Sequence, residues 1–275
     1  MTEPRTISRR RVLLGTLGSA VSVALAACGS EDTETPDARA TAGAGRTAVV
    51  TEGAFDSRFR QTHVGWGVAV PKGVSMDSLP VLVFLHGLGG DHRVPFDYLH
   101  LDHDLQVWAD AGGRPFAVAT VDGGEDWWKP LPGGTDAGRM VVDEFVPLLR
   151  DLGLDMDTLA LGGASMGGYG ALRLAGSGRL RPRSVSVIAP ALGDPIGRSG
   201  SLTDVSQHPE LLRGVPVQLS VGDEDAFRDD DLAYADALRK AGVTATSSTF
   251  PGGHSRDAME TFCPDVIHFA GQHLT

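Results

Sequence analysis

Cysteine and positive charge are both scarce in this sequence. Cys28 and Cys263 are the only two cysteines among 275 residues, so a framework of several disulfides is excluded. Lysine and arginine together number 24 against 35 aspartates and glutamates, which gives a formal net charge of −11 at pH 7. Such an acidic chain argues against nucleic acid or anionic lipid as a partner, because both carry negative charge. The acidity does not identify a substrate.

The N-terminal segment lacks an unbroken apolar run long enough for a stable membrane span. Its apolar stretch, 12–27, is interrupted by glycine and serine and follows three consecutive arginines, as in a secretory signal. Residues 8–13 (SRRRVL) resemble the twin-arginine export motif, and the Leu-Ala-Ala-Cys ending at Cys28 resembles a bacterial lipobox, whose cysteine is lipidated. We therefore predict a signal peptide over 1–27 and a lipid-anchored Cys28. A plain signal peptide with a chance cysteine is the alternative.

Export would leave a tether and one domain at the outer face of the cytoplasmic membrane. Removal of the signal peptide takes away four arginines and one glutamate, so the net charge becomes −14. Residues 28–47 have almost no large apolar side chains and are predicted to be a disordered tether. Residues 48–275 form the predicted domain. With Cys28 lipidated, Cys263 has no disulfide partner, and its apolar neighbours favour a buried, inert thiol.

Buried-strand patterns alternate with helical patterns along the domain. Short, β-rich apolar runs predict strands at 64–70, 80–85, 115–121, 158–162, 184–188, 215–221 and 243–250. Apolar spacing predicts helices at 140–149, 169–174, 229–241 and 255–273. This alternation predicts an α/β fold with a doubly wound, mostly parallel sheet flanked by helices. Ligands of such sheets bind beyond the carboxyl ends of the strands, where several Gly-rich turns of this chain would meet.

One of those turns has the pattern of a nucleophile elbow. Gly163-Ala164-Ser165-Met166-Gly167 follows a predicted strand and precedes a predicted helix, which is the context in which G-x-S-x-G carries a catalytic serine. Glycines on both sides remove the Cβ atoms that would clash in so sharp a turn. The serine hydroxyl would then stand exposed at a helix N-terminus. An incidental serine in a Gly-rich turn is the alternative.

A serine nucleophile needs a base and an acid later in the chain. His254 lies in a Gly-rich loop between the last predicted strand and helix, whereas His268 and His273 fall within that helix. We therefore predict His254 as the base. The turn after the strand 215–221 offers Asp225 as the acid that orients His254, with Asp223 as the alternative.

The predicted oxyanion hole uses two backbone N–H groups. The residue after the nucleophile, Met166, supplies one. The Gly-rich loop His86-Gly87-Leu88-Gly89-Gly90 follows an early strand, and its Leu88 N–H is the second candidate. An ordinary Gly-rich turn would have the same sequence, so the assignment of this loop to an oxyanion hole depends on the predictions for Ser165 and His254.

Taken together, these motifs resemble those of an α/β-hydrolase, most closely the esterase D and mycolyltransferase (antigen 85-like) group. The similarity covers roughly residue 64 to the C-terminus. It implies a serine hydrolase or acyltransferase that works through an acyl-enzyme and needs no cofactor. The expected partner is a small-molecule or lipid ester. A mycolyltransferase-type transfer to a sugar or lipid acceptor and a non-catalytic binding lipoprotein on the same scaffold are the alternatives.

Further segments near the predicted site carry weaker signals. Trp127 and Trp128 predict either a ring that lines the substrate pocket or packing of their loop onto the domain. The long connection 191–214 is placed to form a lid or pocket wall, or a plain surface loop. A third segment carries scattered histidines and aspartates whose spacing matches no standard metal site, so no metal is expected: His92, His100, Asp102, His103 and Asp104.

Overall fold

In the computed structural model of the chain, an eight-stranded sheet forms the centre of the fold, and the structure describes residues 47–192 and 203–275. The signal peptide and nearly all of the predicted tether lie outside these residues. The strands are β1 (Val49–Ser57), β2 (Thr62–Val70), β3 (Pro80–Leu85), β4 (Ala117–Val121), β5 (Asp155–Ala164), β6 (Val185–Ile188), β7 (Val217–Gly222) and β8 (Ala245–Phe250).

The sheet has the order β1-β2-β4-β3-β5-β6-β7-β8. The hairpin β1–β2 is antiparallel, and β2 is antiparallel to β4, whereas all pairs from β4 to β8 are parallel. The predicted α/β class and the mostly parallel sheet are confirmed. Because β3, β4, β5, β7 and β8 are parallel, the loops that follow them all emerge at one edge, where the predicted site residues lie.

The helices are α1 (Val94–Asp97), α2 (Leu101–Asp110), α3 (Ala137–Met140), α4 (Val146–Asp151), α5 (Met166–Gly176), α6 (Thr203–Gln207), α7 (Arg228–Lys240), α8 (Arg256–Glu260) and α9 (Cys263–His273). A π-helical turn, Val141–Phe145, joins α3 to α4. Helix α5 packs against β3, β5 and β6, and α9 packs against β5, β6 and α2. Every residue of β3 and β4 is buried, as continuous apolar runs predict.

The elements differ from the sequence predictions at several places, and the helix predicted over 140–149 is interrupted by the π-helical turn. Three differences have a clear physical cause. Strand β1 was missed because most of its side chains are exposed, so it has no apolar pattern. Helix α2 was missed because its first turn is rich in aspartate and histidine. The single closing helix predicted over 255–273 is wrong: α8 and α9 are separate, and Pro264 occupies the first turn of α9, where its ring and missing N–H prevent the helix from continuing through it.

Cys263 is fully buried, and its thiol donates a hydrogen bond to the Met259 carbonyl oxygen at 3.6 Å. Burial raises the pKa of this thiol well above the ordinary value, as expected for an inert thiol.

Within the described part of the chain, no helix has both the length and the apolar character needed to cross a membrane.

Candidate active site

Ser165 occupies a strained turn between β5 and α5. Its backbone has φ 54° and ψ −122°, a conformation that residues other than glycine rarely adopt. A Cβ atom at Gly163 would lie 2.3 Å from the Gly167 carbonyl oxygen, and one at Gly167 would lie 2.0 Å from the Leu85 carbonyl oxygen. The two glycines are therefore sterically required, which explains the G-x-S-x-G spacing.

Ser165, His254 and Asp225 form a continuous chain of hydrogen bonds. The Ser165 Oγ atom lies 2.8 Å from His254 Nε2, and His254 Nδ1 lies 2.7 Å from Asp225 Oδ2. The Asp225 side chain is fully buried, whereas the His254 side chain is 30% exposed. A carboxylate can only accept, so the imidazole donates from Nδ1, and Nε2 is left to accept the Ser165 proton.

The Asp225 carboxylate is itself held in place from within its loop. Its second oxygen, Oδ1, accepts the N–H of Phe227 at 2.9 Å. The Phe227 ring packs against the His254 ring with 5.0 Å between their centroids. Hydrogen bonding and packing therefore orient both partners of this pair.

The alternative acid, Asp223, has a different place. Its side chain is exposed and accepts the Gly252 N–H at 2.8 Å. In addition, the Glu224 N–H donates to the Gly252 carbonyl oxygen at 3.0 Å. Asp223 therefore ties the loop after β7 to the loop that carries His254, whose two ring nitrogens face Ser165 and Asp225 instead.

Asp231 lies in the first turn of α7, next to Asp230. Its carboxyl group is fully buried, and neither oxygen has a hydrogen-bond partner in the described part of the chain. Burial, with a further contribution from Asp225, raises the pKa of Asp231 well above the ordinary value. Burial and the nearby Asp225 charge therefore both favour the protonated form of Asp231.

The loop after β3 lies directly against Ser165. A Cβ atom at Gly87 would lie 3.3 Å from the Ser165 Cβ. Among the described residues, neither the Leu88 N–H nor the Met166 N–H has an acceptor, and Met166 is the first residue of α5. These two N–H groups are thus available to an oxygen atom bound beside Ser165.

His86 holds this loop in place, a role that the sequence analysis did not assign. Its Nδ1 atom lies 2.8 Å from the Gly87 carbonyl oxygen, and its Nε2 atom accepts the Gly123 N–H at 2.9 Å. Burial lowers the pKa of His86, so the ring is neutral with its proton on Nδ1. The signal available in the sequence was a histidine directly after a buried strand, where a polar ring needs partners.

Trp127 and Trp128 are both buried and pack against residues next to the site. Trp128 is fully buried, with its ring 5.1 Å from that of His86 and against Gly123 and Gly170. Trp127 is 8% exposed, and its ring packs edge-on against Tyr169. Trp128 is therefore packed inside the domain, where the glycines around it leave room for the indole, and the expectation that one of the two rings lines the substrate pocket stays a prediction.

In the polar segment 92–104, where no metal site is predicted, His92 and His100 each pair with a different carboxylate. His92 Nδ1 lies 2.8 Å from Asp122, whose hydrogen bond raises the pKa of His92. Burial opposes ionisation of Asp122, but the hydrogen bonds from His92 outweigh it and lower the pKa of Asp122. His100 Nε2 lies 3.7 Å from Glu260. In residues 47–192 and 203–275, no three His, Cys, Asp or Glu side chains are grouped as a metal would require.

Part of the connection predicted as a lid lies outside the described residues. Residues 193–202 are not described, and the remainder contains α6 and a 3₁₀ turn, Pro209–Leu212. A cavity of about 210 Å³ lies beside the site, between the loop after β3 and α8. Its walls include Leu88, Ala164 and His254.

The sheet order, the turn at Ser165 and the loops around it define an α/β-hydrolase fold. A solved ferulic acid esterase superposes with a TM-score of 0.74 at 18% identity, covering 83% of this chain and 99% of that chain. An S-formylglutathione hydrolase from Agrobacterium tumefaciens has a TM-score of 0.67 at 18% identity, covering 85% and 98%. A fluorophosphonate-binding serine hydrolase of Staphylococcus aureus has a TM-score of 0.65 at 15% identity, covering 82% and 99%.

No protein-family model and no curated protein sequence matches this chain. At 15–18% identity, the similarity to the solved structures establishes the fold and leaves the activity to be argued from the site.

Proposed function

We propose that this protein is a serine hydrolase that cleaves a carboxylic ester through an acyl-enzyme. The observation that carries the proposal is the hydrogen-bonded chain from Ser165 through His254 to Asp225. It lies at a strained turn beside two N–H groups that have no acceptor among the described residues. Nucleophile, base, orienting acid and oxyanion donors are the complete set that acyl transfer requires. The solved esterases and serine hydrolases of the same fold support this assignment by analogy.

In the proposed acylation step, His254 Nε2 takes the proton of Ser165 Oγ as that oxygen attacks the ester carbonyl carbon. The carbonyl oxygen becomes an oxyanion that accepts hydrogen bonds from the Leu88 and Met166 N–H groups. Asp225 stabilises the imidazolium. The C–O bond to the alcohol then breaks, and His254 donates its proton to the departing oxygen, which leaves the acyl group on Ser165.

Deacylation repeats this sequence with water. His254 takes a proton from water, whose oxygen attacks the acyl carbon, and the same two N–H groups hold the second oxyanion. Collapse breaks the bond to Ser165 Oγ, which recovers its proton from His254. One ester and one water thus yield one acid and one alcohol, with no cofactor.

A fluorophosphonate probe provides the direct test. We expect it to label Ser165 in the folded protein, and we expect Ser165→Ala to abolish both labelling and turnover of short acyl esters. Ser75→Ala is the control, since Ser75 is exposed and precedes β3, at the edge of the sheet opposite the site. Failure of the folded wild-type protein to be labelled, or equal turnover by Ser165→Ala, would overturn the proposal.

Acyl transfer uses the same acyl-enzyme with a sugar or lipid hydroxyl in place of water. A product assay in the presence of such an acceptor separates the two reactions, because only transfer yields a new ester. If neither turnover nor labelling occurs, the remaining alternative is a non-catalytic binding lipoprotein on this scaffold.

We further propose that the domain works outside the cytoplasm on a lipid anchor at Cys28. The support is the lipobox-like sequence that ends at Cys28 and the basic, apolar segment before it. Membrane fractionation of the full chain and of Cys28→Ala tests this, with release of the variant from the membrane as the expected result. Equal membrane association of the two would count against lipidation.

A further inference from the structure

We propose that the substrate is an ester with an anionic end group, and that Arg256 binds this group at the rim of the cavity beside Ser165. The inference rests on the proposed esterase function and deepens it by naming the substrate class. Arg256 would be a specificity-determining residue, two positions after His254, and would take no part in the bond-breaking steps.

The cavity combines apolar walls with a single permanent charge. Leu88, Val94, Leu99 and Met259 supply the apolar surface, and Arg256 supplies the charge. No aspartate or glutamate is among the described residues that line this cavity. The cavity also contacts His254, so a group that fills it is next to the reacting atoms.

Arg256 packs on an aromatic ring and has no carboxylate partner among the residues that the structure describes. Its guanidinium carbon lies 4.6 Å from the centroid of the Tyr98 ring. Glu260 is four positions further along α8, a spacing that favours an ion pair with arginine, yet its carboxylate faces His100 at 3.7 Å. Within the described ranges, no acidic group lies at ion-pair distance from the Arg256 guanidinium.

This arrangement prepares the guanidinium for an anion. Stacking on Tyr98 restricts the long side chain in advance, and the in-plane N–H donors remain free to form the paired hydrogen bonds that carboxylates and phosphates accept. Apolar walls on one side strengthen the attraction by lowering the local dielectric constant. The protein as a whole is acidic, whereas this cavity is lined by an arginine and by no aspartate or glutamate of the described residues.

The lining of the cavity points to the kind of group that fills it. The cavity has a volume of about 210 Å³, and apart from His254, Ser255 and Arg256 it is lined by glycines and apolar side chains. A short apolar spacer between the ester and the charged end suits such a lining. The anion can belong to either half of the ester, since both the acyl group and the alcohol lie next to His254 during the reaction.

Two pairs of esters that differ only in the end group test the inference. The first pair carries the charge on the acyl side, monoethyl adipate against ethyl hexanoate. The second carries it on the alcohol side, 6-acetoxyhexanoate against hexyl acetate. We expect the wild-type protein to show a higher kcat/KM for the anionic member of at least one pair, with that preference weakened by added salt.

The variants assign the preference to Arg256. Arg256→Gln is expected to lower the ratio of anionic to neutral kcat/KM by about tenfold, the scale of one charge-assisted hydrogen bond, whereas Arg256→Lys retains part of it. Arg114→Gln is the matched control and should leave the ratio unchanged, because Arg114 is exposed and precedes β4, at the opposite edge of the sheet.

The outcomes separate this inference from the proposed function. Labelling of Ser165 and turnover of neutral esters, combined with no anion preference or with a preference that survives Arg256→Gln, would overturn the Arg256 assignment alone. Absence of labelling and of all ester turnover would overturn both. A fall in the ratio that Arg114→Gln also produces would show a general charge effect and would likewise overturn the assignment.

Discussion

The Nε2 atom of His86 accepts the N–H of Gly123 at 2.9 Å, which joins the loop after β3 to the loop after β4. The other ring nitrogen holds the Gly87 carbonyl oxygen. The residue that follows, Leu88, provides one of the two proposed oxyanion donors. The buried, neutral imidazole of His86 therefore fixes the loop that carries the proposed oxyanion donor Leu88 relative to the loop after β4.

Replacement of His86 by leucine should impair the reaction more than substrate binding. The Gly123 N–H and the Gly87 carbonyl oxygen would lose their partner, which costs roughly 1–3 kcal/mol in the free energy of unfolding. Displacement of the Leu88 N–H should lower kcat by about 10²-fold with little change in KM. Steady-state kinetics measures kcat and KM, and urea unfolding measures the free energy of unfolding, with His63→Leu at an exposed histidine as the control. An unchanged kcat would contradict the positioning role.

His86 also predicts a dependence of stability on pH. Its pKa is lowered in the folded protein by burial, so between that value and the ordinary 6.5 the unfolded chain binds more protons. The stabilising contribution is therefore present above pH 6.5 and is lost as the pH falls below it. Urea unfolding at a series of pH values should show a smaller decline on acidification for His86→Leu than for the wild type.

The two aspartates after β7 should respond very differently to the same change. Asp225→Asn would turn the imidazole towards the wrong tautomer, and we expect kcat to fall by about 10³–10⁴-fold, as for an orienting acid. Asp223→Asn keeps an oxygen that can accept the Gly252 N–H, and we expect a loss of less than about tenfold. Equal effects of the two substitutions on ester turnover would reject Asp225 as the acid.

Gly167 should tolerate no side chain. A methyl group there would meet the Leu85 carbonyl oxygen at 2.0 Å. The neighbouring atoms are backbone atoms of Leu85 and His86, which have little room to move, so Gly167→Ala should lower the free energy of unfolding by roughly 3 kcal/mol or more. A Cβ atom at Gly133 would meet no other atom within 4 Å, and φ there is ordinary, so Gly133→Ala should change stability by less than about 0.5 kcal/mol. Chemical denaturation compares the two, and equal stabilities would contradict the steric argument.

Asp231 predicts a gain of stability on neutralisation. Because burial raises its pKa in the folded protein, the unfolded chain releases a proton that the native state keeps, and stability falls as the pH rises above about 3.8. The asparagine of Asp231→Asn cannot ionise, so the free energy of unfolding of this variant at pH 7 should exceed that of the wild type by at least about 1 kcal/mol. The difference should vanish near pH 3. The exposed Asp230→Asn serves as the control. A variant that is less stable than wild type at pH 7 would refute the assignment.

Much of the fold could be predicted from local patterns, and the exceptions have physical causes. Strands buried on both faces, such as β3 and β4, have continuous apolar sequences that no solvated element shares. Strand β1 belongs to the sheet edge and exposes most of its side chains, so its sequence has no such signal. The break before α9 was predictable in principle, since Pro264 lies within the predicted helix, but the apolar spacing on either side concealed it.

The sequence alone determined the fold class and the local turn at Ser165, because apolar periodicity and glycine spacing are short-range consequences of burial and sterics. Only the tertiary structure decided which aspartate reaches His254, since Asp223 and Asp225 differ by two positions and by the direction in which the loop after β7 points. It likewise decided the burial of Trp128, the clamp at His86 and the placement of Arg256 over Tyr98. Each of these depends on contacts between residues distant in the chain, which no local pattern encodes.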